Sequence, residues 1–357
     1  MRPDPIELDE TPPPAAPELH LTALDGDAIL NALHGGSVVD WTGLSFRTIE
    51  EVDGFLALWH CDVARHAWAR ERLVYLYNQA VNYLEEHVGL SFAPEVRRPP
   101  DVRQAFLRAS MRERFSRQRI QYCAILKLVH VINHLEMQEL RGQSAVREVD
   151  VINLANDAVL RRARRMRALG FPIRAFHGNR KTRPSVITKL LAKRESTAAT
   201  IYDKLRYRLV TETRADIVPC LAWLMRHLIP FPSIIPAESH NNLLSDDEVR
   251  DAIRQEPLTA AAFGPPTAAA NVHTASTYRT INFIADIPVR IYDIPALAAP
   301  RHRALLGEAV HVMVEFQVVD AETDKANESG DNRHDRYKQR QMQRVLQRLG
   351  RTPRRDA

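Results

Sequence analysis

Apolar residues recur every three or four positions through the first half of the chain, a spacing typical of α-helices. The pattern predicts helices between residues 45 and 142, with Gly142 as a candidate end, and a further helix over 148–169 that ends at Gly170. Residues 1–20 are acidic and rich in proline. We expect them to form a disordered leader, because proline disfavours helix and strand alike.

After Gly170 the pattern changes to short runs of alternating and β-branched residues, which are typical of strands. The predicted elements are a helix over 184–195, a strand over 200–212, a helix over 213–229 and strands over 278–293 and 309–320. Thr213 and Asp216 form a capping-box start for the second of these helices. The order predicts an α+β fold, in which an N-terminal all-helical region precedes a mixed β-sheet flanked by helices.

Two segments do not follow either period. Residues 244–277, rich in alanine, proline, serine and threonine, are predicted to be a long insertion, and loops of that length are usually functional or disordered. Residues 341–357 are predicted to be a basic C-terminal tail.

Composition narrows the class of protein without naming a function. The 357 residues are 45% hydrophobic and carry a net charge of +5, which is compatible with nucleotide or RNA partners and requires neither. The three cysteines are widely spaced, so they predict neither a disulfide framework nor a zinc motif, and a reducing cytoplasm is expected. The sequence contains no apolar run long enough for a membrane span and no signal-peptide pattern.

Two acidic residues in predicted strands are candidates for chemistry. Glu315 lies between Val314 and Phe316 in an apolar strand, and Asp203 opens an earlier strand. Strand alternation also allows both carboxylates to be exposed without a function. If the two strands are neighbours, the carboxylates would form an oxygen-rich site suited to Mg²⁺, which commonly binds together with phosphates.

A basic cluster surrounds the start of the helix predicted over 184–195. Ser185, Lys189 and Lys193 are four residues apart and share one helix face, with Arg180 and Lys181 just before them. A helix N-terminus offers free N–H groups and partial positive charge, which suits phosphate. A solvated basic face is the alternative interpretation.

The order and spacing of these residues resemble the synthetase domain of the RelA/SpoT family, the alarmone synthetases, over about residues 171–340. Four signatures carry the resemblance, in the family's order along the chain. They are Gly178, Lys181, Ser185, Lys189 and Lys193; Asp203 with Arg208; Tyr278, Arg279 and Thr280; and Glu315 with Gln317, followed by Glu328, Gly330, His334, Tyr337 and Lys338.

The resemblance implies a Mg²⁺-dependent pyrophosphokinase that transfers pyrophosphate from ATP to the 3′-hydroxyl of a guanine nucleotide, GDP or GTP. It implies that Asp203 and Glu315 are catalytic and hold the metal. The residues implied to bind ATP are Arg180, Lys181, Ser185, Lys189, Lys193 and Arg208. The residues implied to bind the acceptor are Tyr278, Arg279, Asn282, Gln317 and His334.

Departures from the family pattern concentrate in the acceptor half. Asn282 replaces a histidine and Val319 an arginine, whereas in the donor half Asn179 replaces an arginine that the adjacent Arg180 could supply. Two alternatives therefore stay open: pyrophosphorylation of a tRNA 3′ end, and a non-catalytic relative that binds a nucleotide. The arginines that would bind RNA, or would simply face solvent, are Arg112, Arg114, Arg117, Arg119, Arg161, Arg162, Arg164, Arg165 and Arg167.

The N-terminal half lacks the His–Asp doublet that marks the hydrolase domain of longer family members, so we expect no hydrolase domain. His130 and His134 share a helix face near Glu136, a spacing that could bind a metal, although their apolar neighbours favour core histidines. We expect residues 21–170 to serve regulation, homo-oligomer formation or binding of a protein partner.

Overall fold

The structure, a computed structural model, describes residues 19–35, 45–111, 117–144, 146–180, 187–188, 191, 205–235, 238–253, 278–291, 304–328 and 345–346. Most of the basic tail, nearly all of the predicted leader and most of the predicted helix over 184–195 lie outside these residues, although 187, 188 and 191 are helical.

Before Gly170, the described residues form seven helices. They are α1 (Ala23–His34), α2 (Ile49–Leu58), α3 (Ala67–Glu86), α4 (Pro94–Arg97), α5 (Arg103–Ser110), α6 (Arg117–Gln143) and α7 (Glu148–Ala168). Helix α7 ends at Ala168, two residues before Gly170, whose φ of 88° lies in the left-handed region that glycine adopts readily. Among the described helices, none combines the length and the apolar character needed to cross a membrane.

A five-stranded mixed sheet follows the helices. Its strands are β1 (Ile173–Arg180), β2 (Leu205–Thr211), β3 (His240–Asn241), β4 (Ile281–Arg290) and β5 (Ala309–Asp320), and the helices between and after them are α8 (Ile217–His227), α9 (Asp246–Ala252) and α10 (Ala321–Asn327). The strand order is β1-β2-β5-β4-β3. Strands β2 and β5 are parallel, and the other neighbouring pairs are antiparallel. The expected α+β class with a mixed sheet is thereby confirmed.

The core of the sheet includes helices from the N-terminal half. Leu30 of α1, together with Ala155 and Val159 of α7, is fully buried in the same apolar cluster as Val314 and Phe316 of β5. A second cluster holds α2, α3, α5 and the first part of α6. Helices α1 and α7 therefore contribute to the apolar core of the sheet, whereas the division of the chain into domains at residue 170 stays a prediction.

A row of stacked aromatic rings crosses the buried face of the sheet. The row contains one ring from each of four strands that are neighbours in the sheet: Phe176 of β1, Tyr207 of β2, Phe316 of β5 and Phe283 of β4. The centroids of successive rings are 5.3, 5.9 and 5.5 Å apart. The Tyr207 hydroxyl donates to Asn156 Oδ1 of α7 at 2.7 Å, which satisfies the polar end of a fully buried ring. The aromatic row and the bond from Tyr207 to Asn156 hold α7 against one face of the sheet. Polar residues lie on the other face.

Gly178 is required by this aromatic row. A Cβ at residue 178 would lie 2.9 Å from Tyr207 Cε1, and the ring is locked by its neighbours. We expect Gly178→Ala to lower the free energy of unfolding by roughly 1–3 kcal/mol in urea denaturation, because the ring must shift out of a packed core. Gly142→Ala is the control, since a Cβ there meets nothing within 4 Å, and no loss of stability is expected. Equal effects of the two substitutions would contradict this role of Gly178.

Three element predictions are wrong in detail. Strand β1 was not predicted, because Arg174, His177 and Asn179 interrupt its apolar pattern. The segment predicted to be an insertion from residue 244 contains helix α9 near its start, and the capping box between Ser245 and Glu248 is the local signal for that helix. Helix α1 was also missed. The strand over 309–320 and the Thr213–Asp216 capping box are confirmed.

Candidate functional site

Strand alternation and register bring polar side chains together on the sheet face opposite the aromatic row. Arg206 and Arg208 of β2 lie beside Glu315 and Gln317 of β5, and Asn282 of β4 lies beside Gln317. Three strands that are far apart in sequence thus present a continuous polar surface. We call these five residues the polar face.

Glu315 is the buried anion of the polar face, and its side chain is only 6% exposed. Arg206 donates from Nε to Oε2 at 2.9 Å, and Gln317 donates from Nε2 to Oε1 at 3.2 Å. Both carboxylate oxygens are therefore engaged, and the negative charge is balanced by a neighbouring strand. Charge-assisted hydrogen bonds of this kind are stronger than neutral ones and hold the carboxylate in one orientation.

Arg208 lies at the end of the polar face that is nearest to Tyr278 and helix α10. Its Nη1 donates to the Tyr278 hydroxyl oxygen at 3.0 Å, and its guanidinium pairs with Asp324 of α10. Burial by itself would lower the pKa of Arg208, but the Tyr278 oxygen and the Asp324 carboxylate outweigh it, and the pKa lies above its ordinary value. Arg208 is therefore a permanent cation, held in place from two sides.

Two asparagines hold the segment that carries Tyr278. Asn327 accepts from the backbone N–H of Arg279 at 3.0 Å and donates to its carbonyl oxygen at 2.6 Å. Asn242 accepts from the N–H of Thr280 and donates to the carbonyl oxygen of Tyr278, both at 2.8 Å. The backbone on either side of Tyr278 and Arg279 is thereby fixed before β4 begins.

Removing the buried Asn327 clamp should destabilise this segment. We expect Asn327→Ala to lower the free energy of unfolding by roughly 1–3 kcal/mol, because the Arg279 N–H and carbonyl lose their partner. Asn153→Ala is the control, since Asn153 is exposed and bonds only the exposed Arg180 among the contacts described. Denaturant unfolding of both variants tests the clamp, and an Asn327→Ala effect no larger than that of the control would refute it.

One acceptor on the polar face has no hydrogen-bond partner among the described residues. Asn282 Oδ1 is buried and makes no hydrogen bond within the part of the chain that the structure describes. Buried polar atoms in folded proteins nearly always have a partner, so each exception needs an explanation. A donor group of a bound molecule is one such explanation.

The structure places the predicted ATP-binding and acceptor residues unevenly. Arg208, Tyr278, Asn282, Glu315 and Gln317 come together on or beside the polar face. Arg279 is exposed next to Tyr278. The predicted site residues outside the described part of the chain are Lys181, Ser185, Lys189, Lys193, Asp203 and His334.

Arg180 lies elsewhere. Its Nη1 donates to Asn153 Oδ1 of α7 at 3.1 Å, whereas Asn179 is the register partner of Arg206 and so lies on the side of the polar face. Both Asn179 and Arg180 are exposed at the end of β1. The ATP-binding role of Arg180 stays a prediction.

Sequence reasoning missed four residues that shape the site: Arg206, Asn242, Asp324 and Asn327. Arg206 was detectable, because it precedes Arg208 by two residues on the same strand and therefore shares its face. The other three gave no such signal, since Asn242, Asp324 and Asn327 reach the site only through the sheet order and the turn into α10.

Several solved structures are similar to part of this chain. Small alarmone synthetase 1 from Bacillus subtilis is 12% identical over 57% of this chain and 90% of its own, with a TM-score of 0.31. The chain is similar in structure to small alarmone synthetases. Small alarmone synthetase 2 from the same organism is 15% identical over 57% of this chain and 93% of its own, with a TM-score of 0.32.

A GTP pyrophosphokinase family protein from Streptococcus pneumoniae is 12% identical over 62% of this chain and 86% of its own, with a TM-score of 0.26. No protein-family model and no curated protein matches the sequence. Likeness at these TM-scores decides nothing about substrates, so a function has to be inferred from the residues of the site.

Proposed function

We propose that this protein is a pyrophosphokinase, which transfers pyrophosphate from ATP to the 3′-hydroxyl of a guanine nucleotide. The observation that carries the proposal is the polar face, where the buried Glu315 carboxylate is held between Arg206 and Gln317 and the cation Arg208 lies one pair further along the strands. A fixed carboxylate next to fixed cations meets the needs of phosphoryl transfer: neutralising donor charge and orienting a hydroxyl.

In the proposed reaction, the 3′-hydroxyl oxygen of the acceptor attacks the β-phosphorus of ATP. The new O–P bond forms as the bond between the β-phosphorus and the bridging oxygen to the α-phosphorus breaks, and AMP leaves with that electron pair. Glu315 accepts the hydroxyl proton or supports the metal. Arg208 neutralises charge on the donor phosphates, together with Arg180, Lys181, Ser185, Lys189 and Lys193.

Magnesium fits the donor set of this site. Each oxygen of Glu315 accepts one described hydrogen bond, which leaves lone pairs for a cation that prefers oxygen ligands. Glu315 and Asp203 are the residues that would hold Mg²⁺. When bound, the ion would neutralise the phosphate oxygens and polarise the reacting groups.

The acceptor nucleotide would bind at the Tyr278 end of the polar face. The clamped backbone holds the Tyr278 ring, and stacking on an aromatic side chain is worth about 1–3 kcal/mol per base. Asn282 Oδ1, which lacks a described partner, would accept from an N–H of the base, with Arg279, Gln317 and His334 contributing further contacts. These contacts determine which acceptor binds, and the type of reaction does not depend on them.

The proposal is tested by incubating the full chain with γ-labelled ATP and Mg²⁺ while offering GDP, GTP, AMP or tRNA separately. Label on GDP or GTP, with AMP released in equal amount, is expected. Asp203→Asn should abolish transfer. Absence of transfer to every acceptor would refute the enzyme and leave a nucleotide-binding protein, which ATP binding without turnover would identify.

A second acceptor is favoured by one observation. Arg161, Arg162, Arg164 and Arg165 are exposed on α7, the helix that leads into β1. Such a stripe would bind an RNA backbone without sequence preference, and the binding would weaken steeply with salt. Label on tRNA alone, lost in Arg161→Glu/Arg164→Glu, would establish transfer to a tRNA 3′ end in place of a free nucleotide.

A further inference from the structure

A second polar cluster lies on the same side of the sheet as the polar face, near the opposite end of β5. His134 of α6, Asp286 of β4 and His311 of β5 place one ligand atom each within 4.8 Å of one another. Asp286 Oδ2 lies 3.7 Å from His134 Nδ1 and 3.6 Å from His311 Nδ1. Three elements that are remote in sequence thus direct two ring nitrogens and one carboxylate oxygen at one point.

These distances suit a small metal ion. Zn²⁺ binds histidine nitrogen and carboxylate oxygen at about 2.0–2.2 Å in a tetrahedron, which separates neighbouring ligand atoms by roughly 3.3 Å. Small side-chain rotations would bring the three atoms to that separation. Two histidines and one carboxylate leave a fourth position for water, and His134, 29% exposed, lies on the solvent side.

Both rings turn Nδ1 towards Asp286 Oδ2, and His311 Nδ1 also lies 3.3 Å from the backbone carbonyl oxygen of Asp286. His311 Nε2 lies against the sulfur of Met137, and His134 Nε2 lies 2.9 Å from the amide nitrogen of Gln138, whose amide can turn over so that its oxygen accepts from Nε2–H. Metal-bound histidines are usually oriented by a partner on the other nitrogen. A metal ion at the centre of the cluster would take the Nδ1 lone pair of each ring, with the ring proton carried on Nε2.

The carboxylate lacks a cationic side chain of its own. Asp286 is 6% exposed, and within the described residues no lysine or arginine forms an ion pair with it. Arg141, the nearest candidate on α6, donates to the His311 carbonyl oxygen and pairs with Glu148. An ionised carboxylate buried in this way needs a positive partner, and a divalent ion would supply it.

We propose that His134, Asp286 and His311 form a binding site for a divalent transition-metal ion, with Zn²⁺ the best match. The ion ties α6 to the β4–β5 pair. Glu315 follows His311 on the same strand, so an occupied site also fixes the strand that carries the proposed catalytic carboxylate. The nitrogen ligands distinguish this site from the oxygen-ligated Mg²⁺ of the proposed reaction.

The test uses the full chain without a purification tag, stripped with a chelator, dialysed against Zn²⁺ and freed of excess metal. Elemental analysis should find one tightly held equivalent in the wild type. His134→Gln and Asp286→Asn should each lose it, whereas His87→Gln, which changes an exposed histidine at the end of α3, should keep it. Retention in His134→Gln, or no bound equivalent in the wild type, would overturn the proposal.

Two further measurements distinguish the loss of a metal ligand from misfolding of the variant. Co²⁺ bound to the stripped wild type should give the visible bands of a tetrahedral ion, and these should be missing in His134→Gln although its circular dichroism is unchanged. Zn²⁺ should raise the melting temperature of the wild type and leave that of His134→Gln unmoved, because a ligand stabilises only the form that binds it. Equal shifts in both proteins would also refute the site. None of these readouts depends on pyrophosphate transfer.

Discussion

Glu315→Gln is expected to reduce pyrophosphate transfer at least about 100-fold while leaving the protein folded. The amide keeps the size of the carboxylate: its oxygen can still accept from Arg206, and its NH2 group can donate to Gln317 once the Gln317 amide turns over, so the polar face retains its geometry. What it loses is the negative charge that takes a proton or holds a metal ion. Proton transfer by a positioned group typically contributes 10²–10⁴-fold to the rate, which sets about the size of the expected loss.

The measurement is the initial rate of label transfer with saturating ATP and Mg²⁺, alongside thermal unfolding of the same preparations. Glu212→Gln is the matched control, because Glu212 follows β2 directly and, among the described residues, its side chain forms only an exposed pair with Arg174. The control should retain its activity, since exposed pairs contribute little. Activity of Glu315→Gln within a few fold of the wild type would exclude Glu315 from the chemistry.

Arg72→Met is expected to give the largest loss of stability, roughly 3–5 kcal/mol in the free energy of unfolding. Arg72 is 2% exposed and joins α3 to α6 through Glu136 at 2.9 Å and Asn133 at 2.9 Å. It also donates to the backbone carbonyl of Leu305, on the segment that leads into β5. Methionine fills much of the space but leaves the half-buried Glu136 carboxylate without its cation.

The same substitution should change how stability depends on pH. Burial raises the pKa of Glu136, and Arg72 opposes that rise, so the pKa should climb further in the variant. A carboxyl whose pKa is raised in the folded state binds its proton more tightly there, and stability falls as pH rises through that pKa. The deficit of Arg72→Met should therefore be largest near about pH 8 and shrink towards about pH 5.

Urea unfolding at several pH values tests this, with Arg65→Met as the control, because Arg65 is 81% exposed and its pair with Asp62 is short-range. The control should stay within about 0.5 kcal/mol of the wild type. Adding Glu136→Gln to Arg72→Met should recover part of the loss, since the unpaired charge is then removed. A deficit that is constant with pH and unaffected by the second substitution would mean that Arg72 acts through packing alone.

Local pattern was sufficient where one element determines its own structure. The apolar run over 309–320 predicts both the strand and its bounds. Helix α7 ends where Gly170 permits a left-handed turn. The Thr213–Asp216 capping box likewise needs only neighbours in sequence. Strand β1 was missed for the complementary reason: its polar residues are tolerated because one of its faces is polar, a property of the whole sheet.

By itself, the sequence determined the α+β class, the order of the main strands and the presence of Glu315, Gln317, Arg208 and Tyr278 as candidate site residues. The class and the strands follow from hydrophobic period, which acts over a few residues, whereas the site residues follow from the resemblance of their motifs to the RelA/SpoT family. Only the tertiary structure decided that Arg206 is the partner of Glu315, that Asp324 and Tyr278 hold Arg208, and that His134 meets Asp286 and His311. Those pairings depend on the parallel β2–β5 register and on the packing of α6 against the sheet. No local pattern specifies either one, because each joins segments that are far apart in the chain.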